Sequence, residues 1–275
     1  MKKLIKKYKI KEDLKLFEAE NNSSKIYQIH KGYYADSFML STGKGDYFFK
    51  KFDSKRLAKE EIESYNDLVK IKSDVVIVPN VKTISQKVIC MDYYNGIGFY
   101  HYLIKSIFWG KMGNIEKKFV GIGNFLANFH NENFIRYSKE NIPISKIHGD
   151  LNEKNLIFLD NEKVVILDPM PRKELIYEDI LRFIKNIYPT NLIYEMLLFR
   201  QRKLITRYFL DGYMQNSKFE IKEDLLNKIF IELLKKGKPY MSSSFIYRLK
   251  KFIINLYLNY LIKKFENGKL QIKLY

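Results

Sequence analysis

Cysteine is almost absent from this chain. Cys90 is the only one in 275 residues, so no intrachain disulfide can form, and the sequence reads as that of a protein from a reducing compartment. Zinc-ligand spacing is missing too, because His30, His101, His130 and His148 are scattered along the chain. The basic start from Met1 to Lys7 is not followed by the apolar core of a signal peptide. No run approaches the roughly 18 apolar residues of a membrane span. The longest, Phe252 to Ile262, is interrupted by Asn255 and Asn259. Internal repeats, low-complexity tracts and nucleic-acid-binding motifs are also absent. The expectation is a cytoplasmic protein without a nucleic-acid partner, whose contact with a membrane would be peripheral and on the inner face.

Acidic residues are scarce relative to basic ones. The chain carries 31 Asp and Glu against 49 Lys and Arg, a formal net charge of +18. The basic residues are 41 Lys and only 8 Arg, and Lys, Ile, Asn and Tyr are abundant together, as in coding sequence biased towards A and T. That bias would give a solvated, lysine-rich surface without further purpose. The functional alternative is attraction to an anionic partner: a nucleotide, an acidic glycan, a membrane surface or a nucleic acid, the last without a binding motif to support it. With 46% hydrophobic and 29% charged residues the chain is a folded one. Its length suits one large domain or two lobes.

The first third reads as strands. Ser24 to His30 and Ser37 to Thr42 are joined through Lys31 to Asp36. Thr42-Gly43-Lys44-Gly45-Asp46 is a turn, and Tyr47 to Phe52 is a third strand. Ser54 to Lys70 has apolar residues near helical spacing. Val75 to Val78 and Lys87 to Asp92 add strands, and Tyr93-Tyr94-Asn95-Gly96 reads as a hinge. Beyond it the pattern turns helical. Lys117 to His130 presents Phe119, Ile122, Phe125, Leu126 and Phe129 on one face. Ile147 to Asp168 is extended, with a turn at Asp160-Asn161. Further helices are expected over 177–188, 192–215, 222–236 and 244–266. The division is 1–92, a hinge at 93–96, and 97–275. The fold class is α+β, with a small antiparallel sheet lobe holding one helix and a larger, mainly helical lobe.

The chemistry-bearing stretch is His148-Gly149-Asp150-Leu151-Asn152-Glu153-Lys154-Asn155, followed by Val164-Val165-Ile166-Leu167-Asp168. An Asp, an Asn five residues on and a second Asp after an apolar strand suit phosphoryl transfer from a magnesium-bound nucleotide. Asp150 can accept or orient the proton of an attacking hydroxyl. Asn155 offers a neutral oxygen and Asp168 an anionic one, a hard donor pair for Mg²⁺.

This set resembles the aminoglycoside phosphotransferase and choline kinase branch of the protein-kinase-like superfamily, which writes His-Gly-Asp where protein kinases write His-Arg-Asp. The resemblance implies the two-lobed kinase-like fold, with Asp150 as catalytic base or positioner and Asn155 and Asp168 as metal ligands. His148 and Asp179 would support the catalytic loop from beneath. It also implies a third-strand Lys on the phosphates of ATP and a helix Glu holding that Lys. Period-two alternation puts Lys50 and Lys51 on opposite faces, and similarity favours Lys50. Glu60, Glu61 and Glu63 are the candidates on the helix, with Glu61 preferred by its spacing to Leu68. In the strand and hinge from Val88 to Gly96, Met91 would lie behind the adenine, with the backbone of Asp92 and Tyr94 pairing with its edge. Gly32 would belong to the loop over the phosphates. His130, on the helix before the catalytic loop, reads as structural.

Departures are visible. Gly32 stands without a Gly-x-Gly-x-x-Gly pattern, Pro169 follows Asp168, and no Ala-Pro-Glu segment follows, which argues against a regulated protein kinase. The acceptor is expected to be a hydroxyl-bearing small molecule or glycan. From Asn191 to Tyr275 there are 17 Lys and Arg against 7 Asp and Glu. That balance leans away from cationic antibiotics and towards an anionic sugar, such as one of a lipopolysaccharide core. A non-catalytic nucleotide-binding scaffold and a protein kinase are the alternatives.

Overall fold

The computed structural model describes residues 3–4, 23–31, 35–42, 45–170, 172–188, 198, 201–236, 258–268 and 271–274. Six strands form the first sheet: β1 (Lys3–Leu4), β2 (Ser23–Lys31), β3 (Ala35–Thr42), β4 (Gly45–Phe52), β6 (Lys82–Ser85) and β7 (Val88–Asp92), in the order β1-β2-β3-β4-β7-β6. Every neighbouring pair in it is antiparallel. One helix, α1 (Lys55–Val69), follows β4, and the Ser54 side chain caps it by accepting from the Leu57 N–H at 3.3 Å.

Strand alternation sorts β4 into two faces. Phe49 packs with Phe38, Leu40, Val88 and Cys90 on one side. Phe48 and Phe52 pack with Ile89, Met91, Ala58 and Tyr65 on the other, beneath α1. Lys50 shares the parity of Phe48 and Phe52, so its side chain enters the space under α1.

The chain then enters the large lobe before it reaches residues 93–96. β5 (Val76–Ile77) pairs in parallel with β12 (Val164–Ile166) in a second sheet of order β5-β12-β11-β8, where β8 is Ile97–Gly98 and β11 is Leu156–Phe158. Val75 and Val76 are buried in the large-lobe core. After β5 the chain returns to the first sheet as β6. Lys146 also bonds Asp67 of α1, a second link between the lobes.

The large lobe is built on α2 (Phe99–Phe108), α3 (Met112–Glu132), α4 (Ile176–Ile187), α5 (Arg202–Asn216) and α6 (Glu223–Lys236), with 258–266 also helical. A third sheet, β13-β10-β9, joins Arg172–Leu175, Pro143–Ile147 and Phe134–Tyr137. The core contains a ladder of rings: Phe99, Phe119, Phe158 and Phe183 lie within 6.2 Å of one another by centroid in the contacting pairs, and Phe183 stacks on Phe209 at 4.2 Å.

Two helical expectations need amendment. The helix expected over Lys117 to His130 runs from Met112 to Glu132, and a further helix, α2, precedes it. Gly113 and Asn114 weaken the helical signal at the start of α3. α2 is apolar on several faces, which blurs its stripe. The short strands β6, β8, β9 and β13 were not legible either, since two to four residues carry no periodicity. The first parts of the helices expected over 192–215 and 244–266 lie outside the described residues, as does Gly32.

Candidate active site

The sequence offered three glutamates to partner Lys50, and geometry separates them. Glu60 faces Arg56 at 3.7 Å and Glu63 faces Lys59 at 3.8 Å, both on the outer side of α1. Glu61 turns inward, and Lys50 Nζ donates to its Oε1 at 2.7 Å and its Oε2 at 2.9 Å. The same ammonium donates to Asp168 Oδ1 at 3.0 Å. One buried cation therefore joins a residue of β4, a residue of α1 and a residue of the large lobe. Burial alone would lower the Lys50 pKa, but the carboxylates of Glu61 and Asp168 outweigh it and hold the ammonium protonated. Burial pushes the Glu61 carboxyl up to about 7 against the pull of Lys50, and the Asp168 charge adds to the rise. Two carboxylates thus share one ammonium, an arrangement that a further cation at Asp168 would relieve.

Asp168 stands where β12 ends, in the left-handed region at φ 54. A non-glycine residue there is uncommon, and Asp is among those that tolerate it. Its backbone N–H is held by the hydroxyl of buried Tyr65, which accepts at 3.0 Å. Its side chain is 44% exposed, so Lys50 engages one edge and the rest is open.

Asn155 sits at the end of a 3₁₀ turn, Glu153–Asn155, just before β11. Its amide nitrogen donates to the Asp150 carbonyl at 2.8 Å and to Asp150 Oδ2 at 3.0 Å. With the N–H groups turned to Asp150, the amide oxygen is left as a neutral hard donor. The antiparallel register Leu156↔Ile166 and the Leu167 N–H on the Asn155 carbonyl at 2.9 Å bring Asn155 beside Asp168. No group of three or more His, Cys, Asp or Glu suited to a metal occurs among the described residues. Asn155 and Asp168 nonetheless fit Mg²⁺, which takes few protein ligands and keeps water and phosphate oxygens.

The loop carrying Asp150 is fixed from below. The fully buried Asp179 carboxylate, in the first turn of α4, accepts from the N–H groups of His148 at 2.5 Å and Gly149 at 2.8 Å. It also meets His130 Nε2 at 3.2 Å, and His130 Nδ1 meets the Tyr213 hydroxyl at 2.8 Å. Burial would raise the Asp179 pKa, but hydrogen bonds and charge from His130, His148 and Gly149 lower it. His148 is buried, and its Nδ1 accepts from the Asp150 N–H at 3.3 Å. Burial lowers its pKa despite the neighbouring carboxylates, which keeps the ring neutral and Nδ1 able to accept. Gly149 has φ +80, and a Cβ there would lie 1.9 Å from the Met170 carbonyl oxygen, so no side chain fits. Asn186 of α4 donates to the Leu151 carbonyl at 3.3 Å and completes the cradle.

At the other wall Met91 is buried beneath α1 at the register Phe48↔Met91, Asp92 ends β7 and is exposed, and Tyr94 is half-buried in the irregular segment 93–96. Burial and the Asp92 charge raise the Tyr94 pKa. Sequence reasoning missed Tyr65 and Asn186. Tyr65 read as one more apolar position of a helix stripe, and nothing local reveals that its hydroxyl reaches a backbone N–H 103 residues away.

No family model matches the sequence, and no curated protein matches it. Solved structures match along nearly the whole chain. An ADP-bound aminoglycoside phosphotransferase, APH(2'')-Ib, aligns with a TM-score of 0.57 at 13% identity over 92% of this chain and 98% of its own. The ternary complex of APH(2'')-IIa with streptomycin and ATP aligns at 0.57 and 13% over 98% and 99%. A thermostable APH(4)-Ia in complex with AMP-PNP and hygromycin B reaches 0.50 at 10% identity over 90% and 98%. Such low identity speaks to architecture. The chain has the two-lobed, protein-kinase-like α+β fold seen in these aminoglycoside phosphotransferase structures.

Proposed function

We propose that this protein is an ATP- and Mg²⁺-dependent phosphotransferase acting on a hydroxyl of a small molecule or glycan. The observation that carries the reading is the convergence of Lys50, Glu61, Asn155 and Asp168 in one cleft, with Asp150 hydrogen-bonded to Asn155. Five polar residues from four separate elements do not meet there to stabilise the fold, since burying an ammonium between two carboxylates is costly. The fold is also that of proteins solved with ADP, ATP or AMP-PNP bound.

In this reading Asp150 orients the acceptor hydroxyl and takes its proton. Lys50, fixed by Glu61, neutralises phosphate charge, and Asn155 and Asp168 would hold the magnesium. When bound, the ion would supply positive charge against the charge that develops during transfer. Asp179 and His148 hold the loop so that Asp150 needs no reorganisation during the step. Residues 1–92 form the nucleotide lobe, with Met91 behind the adenine and the backbone of Asp92 and Tyr94 on its edge. Residues 93–96 are the hinge and 97–275 the catalytic and acceptor lobe. The acceptor proposed is an anionic one, such as a sugar of a lipopolysaccharide core, because the chain carries a net charge of +18.

The test is transfer from γ-labelled Mg-ATP by the purified protein into cell extract, with mass spectrometry of small molecules and glycans. A labelled metabolite that vanishes in Asp150→Ala supports the reading. Label on proteins alone, or no Mg-dependent turnover, would sink it in favour of a protein kinase or a non-catalytic scaffold.

A further inference from the structure

The most exposed apolar side chains of the described residues are neighbours. Phe108 is 70% exposed and Trp109 71%, while the next, Tyr137, is 49%. They project from the end of α2, at the turn into α3. The turn is a built structure. Lys111 N–H donates to the Ser106 carbonyl at 2.8 Å, and Gly110 N–H to the Ile107 carbonyl at 3.2 Å. Gly110 sits at φ +67. This is the paired-bond helix stop that needs a left-handed residue, and glycine supplies it. The two rings are therefore held outward by a fixed backbone.

The charges nearest them along the chain have one sign. From Tyr93 to Ile115 the sequence contains no Asp or Glu, while Lys105 and Lys111 are exposed within four residues of both rings. Glu116 is the first acid after the turn. Two protruding aromatics flanked by lysines match the interfacial layer of a bilayer. There the rings sit at headgroup depth, and long cationic side chains reach back to anionic headgroups. Area decides between a bilayer and a protein partner. Two such rings offer about 300–500 Å², well under the ~800 Å² per side of a stable protein interface. A convex tip of this size penetrates a soft headgroup layer, whereas it leaves most of a rigid protein surface uncovered.

We propose that the Phe108–Trp109 tip is a membrane-docking element for an anionic lipid surface. α2 begins at Phe99, whose ring touches Phe158 of β11, the strand that follows Asn155. A ten-residue helix spans about 15 Å. The tip would therefore hold the large-lobe side of the cleft close to the bilayer, where a lipid-linked acceptor is presented.

Trp109 is the single tryptophan of the chain, so its emission reports on the tip alone. The experiment mixes the full-length protein with phosphatidylglycerol-containing or pure phosphatidylcholine vesicles. The expected result is a blue shift, and quenching by brominated acyl chains, with the anionic vesicles only. Lys105→Glu with Lys111→Glu should weaken vesicle binding about tenfold or more at low salt, and Phe108→Ser with Trp109→Ser should abolish the salt-resistant part. The substituted positions are exposed, and circular dichroism checks that the variants fold. Asp150→Ala should bind vesicles as the wild type does, which separates docking from turnover. Absence of binding overturns the proposal. So does binding with unshifted, unquenched Trp109, which places the contact elsewhere. A blue shift that depends on protein concentration without lipid also overturns it, in favour of self-association.

Discussion

Two carboxylate clusters lie close together in this molecule and are built in opposite ways. Around Asp179 the carboxylate is enclosed and both its oxygens are answered: two backbone N–H groups and the His130 ring, itself on Tyr213, meet one fully buried carboxylate. Around Asp168 the balance is left open. Two carboxylates share one ammonium, Glu61 is pushed up to about 7, and Asp168 is 44% exposed. The closed cluster holds a loop in one conformation. Under the proposed function, the open one would change partners when a cation and phosphates arrive. Saturation marks architecture here, and incomplete compensation marks chemistry.

Substitutions can break that comparison. Asp150→Ala should reduce Mg-dependent transfer about 10²–10⁴-fold, the span of a lost general base, with the denaturation midpoint unchanged. A large drop in stability would mean that Asp150 belongs with the architectural residues. Asp179→Ala should do the reverse of this in a denaturant titration. It strands two N–H groups and His130 and should cost about 3–5 kcal/mol. Unaltered stability there would dissolve the distinction.

Glu61 sharpens it through pH. Its folded pKa of about 7 lies above its ordinary value of 4.5. The carboxyl's contribution to stability is therefore fully present below pH 4.5 and is lost as pH rises through about 7. Relative to Glu61→Gln, the wild type should lose on the order of 1–3 kcal/mol across that window, read from urea titrations at a series of pH values. Parallel pH profiles would show that Lys50 fully compensates the charge. The smallest effect belongs to Tyr65→Phe. It removes one acceptor from the Asp168 N–H and should cost about 1 kcal/mol, while lowering affinity for Mg-nucleotide measured by calorimetry. Unchanged affinity would make Tyr65 a core residue only.

Much of the site could be read in the chain because its parts are local. Asp150, Asn155 and Asp168 lie within one loop and hairpin, so their spacing carries the geometry. Alternation told Lys50 from Lys51 only as one of two strand faces and similarity chose Lys50, while Phe48 and Phe52 packed under α1 supply the physical reason. The choice of Glu61 over Glu60 and Glu63 rested on a family spacing, and helix rotation alone could not make it. β5 was legible as a strand, but its pairing with β12 across the lobes was not, since a two-residue strand has no pattern to specify a partner.

The sequence by itself determined the element types of the small lobe, the composition of the loop from His148 to Asn155 and the excess of lysine, because periodicity, turn residues and charge are properties of short stretches. Tertiary structure alone decided which strand pairs with β5 across the lobes, what holds Asp168 in a left-handed conformation, and that Phe108 and Trp109 stay in solvent. Those outcomes depend on which surfaces far apart in the chain are brought together, and on which are left uncovered once the core is full.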